Sequence, residues 1–497
     1  MMNEKNEKLN KYLSSLSPED REKLERLMRR LDEHLSLGRR ESAAFREDYD
    51  RAVMYYLVNG VSIDEAVRRL DPTVLGGFYS REGSVWYALD SSAKIYPLSM
   101  SMTKMAVFRL SAYLKADVVP ELLQIALSDV MPRFPYFAVT VKRGFFWHYL
   151  DALVTRYPVK EEDGIVCEPI SLASNTPALR VVYYRNRISV EFFHILTDGN
   201  GGLIFLKTLV ARYLTLLGEE IPAEDGVFDL GAIPDPEEGE NAFLRYRDKS
   251  GGGGLVDAPA RQLGGRLSRV RPCRIIHFEM DSAKLSTLAK ENGATVTALV
   301  SALIFIASRA AMDGGEGNIQ VQIPANMRKH FPSKTMRNFA LYATLRMPVE
   351  DDYSFENVLR NMHDCLTSGL ERKNLMKQMN AAASLVHNLR FVPLSIKIPV
   401  AQVIYGFLGE RIFTNTLSNL GVVKMPESMQ KHIEKFDFVI GSVSTNRAAC
   451  GLVTVGDKAV LSIAKNTVDP SFEERLYREF TARGIEVKLT GGELYGD

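Results

Sequence analysis

The stretch from Leu179 to Leu217, LRVVYYRNRISVEFFHILTDGNGGLIFLKTLVARYLTLL, changes its apolar period midway. That change restricts the fold more than any other feature of the chain. Up to His194 the texture is a hairpin that turns near Arg185-Asn186-Arg187. Ile188, Val190, Phe192 and His194 share one face by the two-residue repeat, which puts His194 on the buried side at the strand's last position. Beyond Gly202 the apolar stripe has helical spacing. A strand that meets a tight acidic turn and feeds an apolar helix is a unit of α/β or α+β architecture.

The same interleaving continues through most of the 497 residues, a length that suits two or three domain-sized units. In the first half, VWYALD, VFRLSAYL (Val107–Leu114) and YFAVTVKRG (Tyr136–Gly144) read as strands, and PELLQIALSDVM (Pro120–Met131) as a helix. In the second, RIIHFEM reads as a strand and DSAKLSTLAKENG as a helix with Asp281 as cap and Gly293 as stop. TVTALVSALIFIASRAAM follows as a buried helix, and FDFVIGSVS, GLVTVG and AVLSIAKN as closing strands. Residues 1–80 read as a helical appendage: Ser17-Pro18-Glu19-Asp20 opens one helix, and Ser62 with Glu65 forms a capping box for another. PDPEEGE and SGGGG (Ser250–Gly254) cannot bury apolar surface and mark a flexible crossover. The expected division is therefore an appendage over 1–80, a first lobe over 81–225, a linker over 226–272 and a second lobe over 273–497.

A formal net charge of +1 gives no electrostatic reason to expect nucleic acid. Cys167, Cys273, Cys365 and Cys450 are far apart, a spacing that argues against a metal site or a disulfide framework and fits a reducing compartment. MMNEKNEKLN lacks the apolar segment of a secretory signal, so a cytoplasmic location is expected. The longest apolar runs, Val296–Ala307 and Ile398–Gly409, are too short to span a bilayer and read as core.

His194 is the residue type best suited to proton transfer near neutral pH. Asp198, past the turn, can neutralise an arginine or cap the new helix. Gly199 is expected to supply a backbone shape that other residues resist, and Gly201 and Gly202 to leave room beside the imidazole. A lone histidine or a lone Asp-Gly turn is most often structural, so the combination carries the argument.

The pattern His194-Ile195-Leu196-Thr197-Asp198-Gly199-Asn200-Gly201, followed by an apolar helix, resembles the active-site motif of the chloramphenicol-acetyltransferase-like superfamily of thioester-dependent acyltransferases. WYALDSSAKIYP (Trp86–Pro97), IPANMRKHFPSKTMRNF (Ile323–Phe339) and TLSNLGVVKMP (Thr416–Pro426) are similar to stretches of bacterial proteins of the alcohol acetyltransferase type. The resemblance covers roughly residues 84–490. There are departures: Phe193 stands where many relatives have a first histidine, and the Asp-Phe-Gly-Trp-Gly signature of the plant subgroup is absent.

The resemblance implies two similar lobes, each a mixed sheet with flanking helices, and a tunnel between them. It implies His194 as general base for direct transfer from acyl-coenzyme A to an alcohol or amine, small or lipophilic, with no bound cofactor and no metal. Ser418 or Asn419, with Thr416 behind them, are the candidate oxyanion donors. Asp198 is expected to be structural and paired with Arg328, with Asn326 and Asn338 shaping the lobe interface. The basic loop Arg328–Lys334 is a candidate contact for coenzyme A phosphates, although solvated charge is the plainer reading. A carrier-protein-bound thioester and a non-catalytic binding role are the alternatives. Phe391–Phe413 reads first as core, and second as an acceptor channel or a membrane-contacting surface of a protein that is not integral.

Overall fold

A computed structural model of the chain describes residues 14–492, except 35–37, 76–85, 95, 100–104, 172–174, 249–258, 271, 313–315, 351–352, 405–411 and 442–446. Its strands are β1 (Tyr87–Ala88), β2 (Val107–Leu114), β3 (Val139–Arg143), β4 (His148–Ala152), β5 (Val159–Glu161), β6 (Leu179–Tyr184), β7 (Arg187–Phe193), β8 (Arg274–Asp281), β9 (Asn318–Asn326), β10 (Ala340–Pro348), β11 (Asn415–Val422), β12 (Ile433–Ile440), β13 (Ala448–Val455), β14 (Lys458–Lys465) and β15 (Lys488–Gly491). The principal helices are α1 (Pro18–His34), α2 (Arg39–Val58), α3 (Ile63–Arg69), α4 (Pro120–Val130), α5 (Gly199–Leu217), α6 (Ser282–Glu291), α7 (Val296–Ala310), α8 (Phe355–Gly369), α9 (Arg372–Asn388), α10 (Leu394–Ile404) and α11 (Ser471–Thr481). The class is mixed α/β in two lobes.

The first lobe holds a five-stranded sheet in the order β12-β2-β7-β6-β5, and the second a seven-stranded sheet in the order β10-β9-β11-β13-β14-β8-β15. β1-β4-β3 form a separate small sheet whose Val139, Val141 and Leu150 pack into the first lobe's core. Neighbouring strands are antiparallel except β5–β6, β11–β13 and β9–β11. One strand breaks the simple division of the chain. β12 belongs to the second half but pairs along β2, with Phe438 opposite Leu110 and Ile440 opposite Phe108. It also crosses tightly over β13, where only a glycine at 451 leaves room for the Phe438 carbonyl.

Local signals account for many element boundaries. The Asp281 carboxylate accepts the Lys284 N–H at 2.8 Å, and Gly293 takes φ +64° at the far end of α6. Thr295 caps α7 through the Ala298 N–H, and the helix is buried from Ala298 to Ser308, as its apolar composition requires. Ser62 accepts the Glu65 N–H at the start of α3.

Four expectations change. Of VWYALD, only Tyr87–Ala88 is strand, because Asp90 draws the chain into a turn by accepting the Ala93 N–H at 2.7 Å. The expected appendage is joined to the first lobe's core: Leu27, Leu31, Tyr49 and Tyr56 pack in the same apolar cluster as Phe192 and Leu206, and the Tyr56 hydroxyl donates to the Leu216 carbonyl. The crossover is packed over residues 226–248. Phe243 is fully buried there, and Glu238 accepts two hydrogen bonds from Arg133 (2.7 and 2.8 Å) and one from Tyr136 (2.8 Å). Ser250–Gly254 lies outside the described residues. Finally, α10 is no core helix, since Ile396 and Val400 are 55% and 52% exposed; residues 405–411 of that apolar stretch lie outside the described residues.

Candidate active site

β7 ends at Phe193, so His194 lies one residue past the strand. The chain leaves the sheet because the Leu196 N–H turns back to the Phe193 carbonyl at 2.9 Å. The backbone of His194 is still fixed, because its N–H donates to the Ala106 carbonyl at 2.7 Å. The imidazole is half-buried rather than enclosed in the core. It stacks on Tyr96, with centroids 5.1 Å apart and planes 23° apart, and meets Phe108 edge-on at 5.2 Å. These rings leave the imidazole little freedom to rotate.

A polar chain fixes which nitrogen is left for chemistry. Nδ1 of His194 is 2.9 Å from Oδ1 of Asn338, and Nδ2 of Asn338 donates to Asp90 Oδ2 at 3.4 Å. A carboxylate can only accept from Asn338, so the amide nitrogen faces Asp90 and the amide oxygen faces the histidine. His194 Nδ1 must then carry the proton, and Nε2 keeps its lone pair. Asp90 is fully buried and held by the Ser92 hydroxyl (2.8 Å) and the Ala93 N–H (2.7 Å), with the Arg337 guanidinium 3.8 Å away. The amide thus comes from the second half of the chain and the histidine from the first.

Asp198 is buried behind the histidine and does two tasks. Oδ1 caps α5 by accepting the Asn200 and Gly201 N–H groups at 3.1 and 3.2 Å. Oδ2 accepts from Arg328 Nη1 and from the Phe339 N–H, each at 2.8 Å. Arg328 is oriented in turn by Asn326 Oδ1 and by the carbonyls of Thr335 and Arg337. One carboxylate therefore ties the turn after His194 to the loop that carries Asn338.

The glycines act by close approach. Gly199 has no positive φ; a Cβ there would lie 2.7 Å from Leu420 Cδ2 of β11. At Gly201 a Cβ would lie 2.3 Å from the Met336 carbonyl oxygen and 2.2 Å from Thr197 Oγ1, the hydroxyl that donates to that carbonyl. At Gly202 it would press on Leu110, Phe108 and Phe192. Gly201 and Gly202 thus admit a neighbouring backbone and the core, rather than opening space beside the imidazole.

β11 brings the two oxyanion candidates to different faces. Asn415, Leu417 and Asn419 face the helices of the second lobe: Asn415 donates to Ser308, Leu417 is core, and Asn419 Nδ2 donates to Thr297 Oγ1 at 2.9 Å. The Asn419 oxygen accepts the Gly421 N–H, so its side chain is committed there. Thr416 and Ser418 alternate onto the opposite face; beyond them the register shifts between Asn419 and Val422, where Leu420 lies against Gly199 at the start of α5. In the loop Arg328–Lys334, Arg328 is taken by Asp198 and Lys334 pairs with Asp235 at 2.7 Å, while Lys329 is exposed.

Asp90, Tyr96 and Phe108 had no role in the sequence reading. An Asx turn was readable at Asp90-Ser91-Ser92-Ala93, but nothing local joins it to Asn338 or His194.

Residues 267–449 match the protein family described as phthiocerol/phthiodiolone dimycocerosyl transferase C-terminus. No curated protein matches the whole sequence significantly. Among solved structures, TRI101 of Fusarium sporotrichioides, complexed with coenzyme A and T-2, superposes with a TM-score of 0.55 at 12% identity, over 82% of this chain and 100% of that one. Polyketide synthase associated protein 5 from Mycobacterium tuberculosis gives 0.54 at 12% identity, over 79% and 96%. The first condensation domain of the CDA synthetase gives 0.53 at 12%, over 81% and 99%. The chain has the chloramphenicol-acetyltransferase-like fold. Both lobes of that fold therefore contribute to the His194 site, through Asn338 and Asp198.

Proposed function

We propose that this protein is an acyltransferase that moves an acyl group from acyl-coenzyme A to an alcohol or amine, with His194 as general base. The observation that carries the reading is the chain from Asp90 through Asn338 to His194 Nδ1, which leaves Nε2 as a proton acceptor. Nε2 takes the proton of the acceptor hydroxyl or amine as its oxygen or nitrogen bonds to the thioester carbonyl carbon. The carbonyl becomes a tetrahedral oxyanion. Collapse breaks the carbon–sulfur bond, and the thiolate leaves with the proton returned from the imidazolium. No covalent intermediate with the protein is required.

Ser418, on the β11 face opposite the committed Asn419, is the side chain we assign to the oxyanion; Asn419 is assigned to the fold. The coenzyme A complex of TRI101 supports the choice of donor. The condensation-domain neighbour supports a carrier-bound thioester as the second reading.

The test is release of free thiol, read with a thiol-reactive dye, from a panel of acyl-coenzyme A donors with pooled alcohols and amines. Release should depend on acceptor and fall about 100- to 10,000-fold in His194→Ala. Ser418→Ala should lower the rate about 100-fold, whereas Asn419→Ala should chiefly lower stability. Release that survives His194→Ala would overturn the assignment of the base. Transfer from a phosphopantetheinyl carrier protein alone would favour the second reading.

A further inference from the structure

Helix α10, which packs on the Tyr96–Ser99 helix beside the His194 site, is itself packed inside out. Ile396, Pro399 and Val400 face solvent, while Lys397 on the opposite face is only 4% exposed. The Lys397 ammonium lies 3.3 Å from the centroid of the Trp147 ring and donates to the Phe146 carbonyl at 2.7 Å. Burial and the nearby Lys94 push it down to about 8. A soluble helix normally turns its charge outward and its aliphatic face inward. This one spends a buried cation on holding an apolar face in the open.

The β3–β4 hairpin extends that face. The Leu394 N–H donates to the Phe145 carbonyl at 2.9 Å, which fastens the hairpin tip to the start of α10. Phe145 and Phe391 are 72% and 71% exposed, and Phe146 between them contacts both rings, at 4.8 and 6.2 Å. Trp86, 63% exposed, stands edge-on to Tyr149 beside the same hairpin.

The charge around this surface has one sign. Residues 139–150 contain Lys142 and Arg143 and no carboxylate; Asp151 comes only at the far end of β4. Residues 385–404 contain Arg390, stacked on Phe391, and the buried Lys397, and no carboxylate. Among the described residues none of these cations forms an ion pair. Exposed aromatic and aliphatic tips flanked by the exposed cations Arg143 and Arg390 suit the boundary between headgroups and acyl chains. A second copy across a two-fold axis would instead bring like charges together. Among the described residues no single helix is long and apolar enough to cross a membrane.

We propose that the face formed by the β3–β4 hairpin tip and α10 docks on an anionic lipid bilayer, with Phe145, Phe391, Ile396 and Val400 entering the headgroup boundary. The idea does not depend on the acyl-transfer reading, and its test involves no turnover.

The test is co-flotation with phosphatidylcholine vesicles, with and without phosphatidylglycerol, together with tryptophan quenching by brominated acyl chains. The chain has only two tryptophans, Trp86 and Trp147, and both lie at this surface, so quenching reports on it directly. Wild type should float with the anionic vesicles, be quenched, and release as salt rises. The exposed pair Phe145→Ser/Phe391→Ser should weaken partitioning about tenfold or more. Arg143→Gln/Arg390→Gln should remove the preference for phosphatidylglycerol while leaving the fold intact. Wild type that neither floats nor is quenched at low salt overturns the proposal. So does a serine variant that partitions like wild type. Lipid-free self-association abolished by the serine pair would also overturn it, by assigning the face to a second copy.

Discussion

Oδ1 of Asn338 sits 2.9 Å from Nδ1 of His194, although the two residues are 144 positions apart in the chain. The amide can satisfy both neighbours in only one orientation, because Asp90 takes its nitrogen. Asn338 is therefore a positioning residue for the imidazole. Asn338→Leu should lower kcat about 100-fold with little change in KM, since the ring loses its fixed orientation. Asn338→Asp should keep more activity and move the acidic limb of the pH–rate profile upward, because a carboxylate favours the imidazolium. Unchanged profiles in both variants would remove Asn338 from the machinery.

Asp198 and Arg328 form a nearly buried pair at 2.8 Å, with side chains 6% and 11% exposed. Asp198→Asn leaves the guanidinium without its counter-charge and should destabilise the chain by about 3 kcal/mol, read by urea unfolding. Arg328→Met should cost a similar amount. The double variant should cost clearly less than the two losses added, the signature of a coupled pair. Additive losses would mean that the pair contributes nothing as a pair.

The glycines after Asp198 offer a graded test of close approach. Gly201→Ala meets a backbone carbonyl that cannot move without shifting the Asn338 loop, and should cost about 1–3 kcal/mol and most activity. Gly199→Ala meets only the end of the Leu420 side chain, which can change rotamer, and should be milder. Equal effects at the two positions would contradict this contrast.

Lys207, buried on α5, donates to the carbonyls of Asp225 and Lys424, the latter at 3.0 Å, and so ties the end of the first lobe to the second lobe. Burial pushes its ammonium down to about 8, with Asp225 opposing the shift. An unfolded lysine titrates near ~10.4. Between those values the unfolded chain binds the extra proton, so native stability at this site rises with pH. The stability of wild type relative to Lys207→Met should therefore increase between about pH 8 and 10, by at most about 1.4 kcal/mol per pH unit. A flat difference across that window would mean that Lys207 titrates normally.

What the sequence disclosed was local. The change of period after His194, the cap at Asp281 and the stop at Gly293 each depend on residues within one turn of one another. The pairing of Asp198 with Arg328 was also open to inference, because a buried carboxylate needs a cation and the family motif limits the choice. The rest depends on long-range partners. Asp90 is 248 positions from Asn338, and no periodicity ranks that pairing above others. Asn419 and Ser418 are equally polar letters, and only the pairing of β11 decides which one turns to the second lobe's helices. The apolar letters of α10 gave neither its helix nor its direction, since composition calls for burial without naming what does the burying.

The return of β12 to the edge of β2 bears on how the protein is made. Tyr113 and Asp437 hydrogen-bond across that edge at 2.7 Å, with 324 positions between them. During synthesis the first lobe emerges with β2 as a bare, apolar edge, and its closing strand follows only after the crossover and most of the second lobe's strands. Such an edge is an open template for pairing with another chain. A first lobe expressed alone should for that reason aggregate, and cutting the gene at the crossover would separate a sheet from its own last strand.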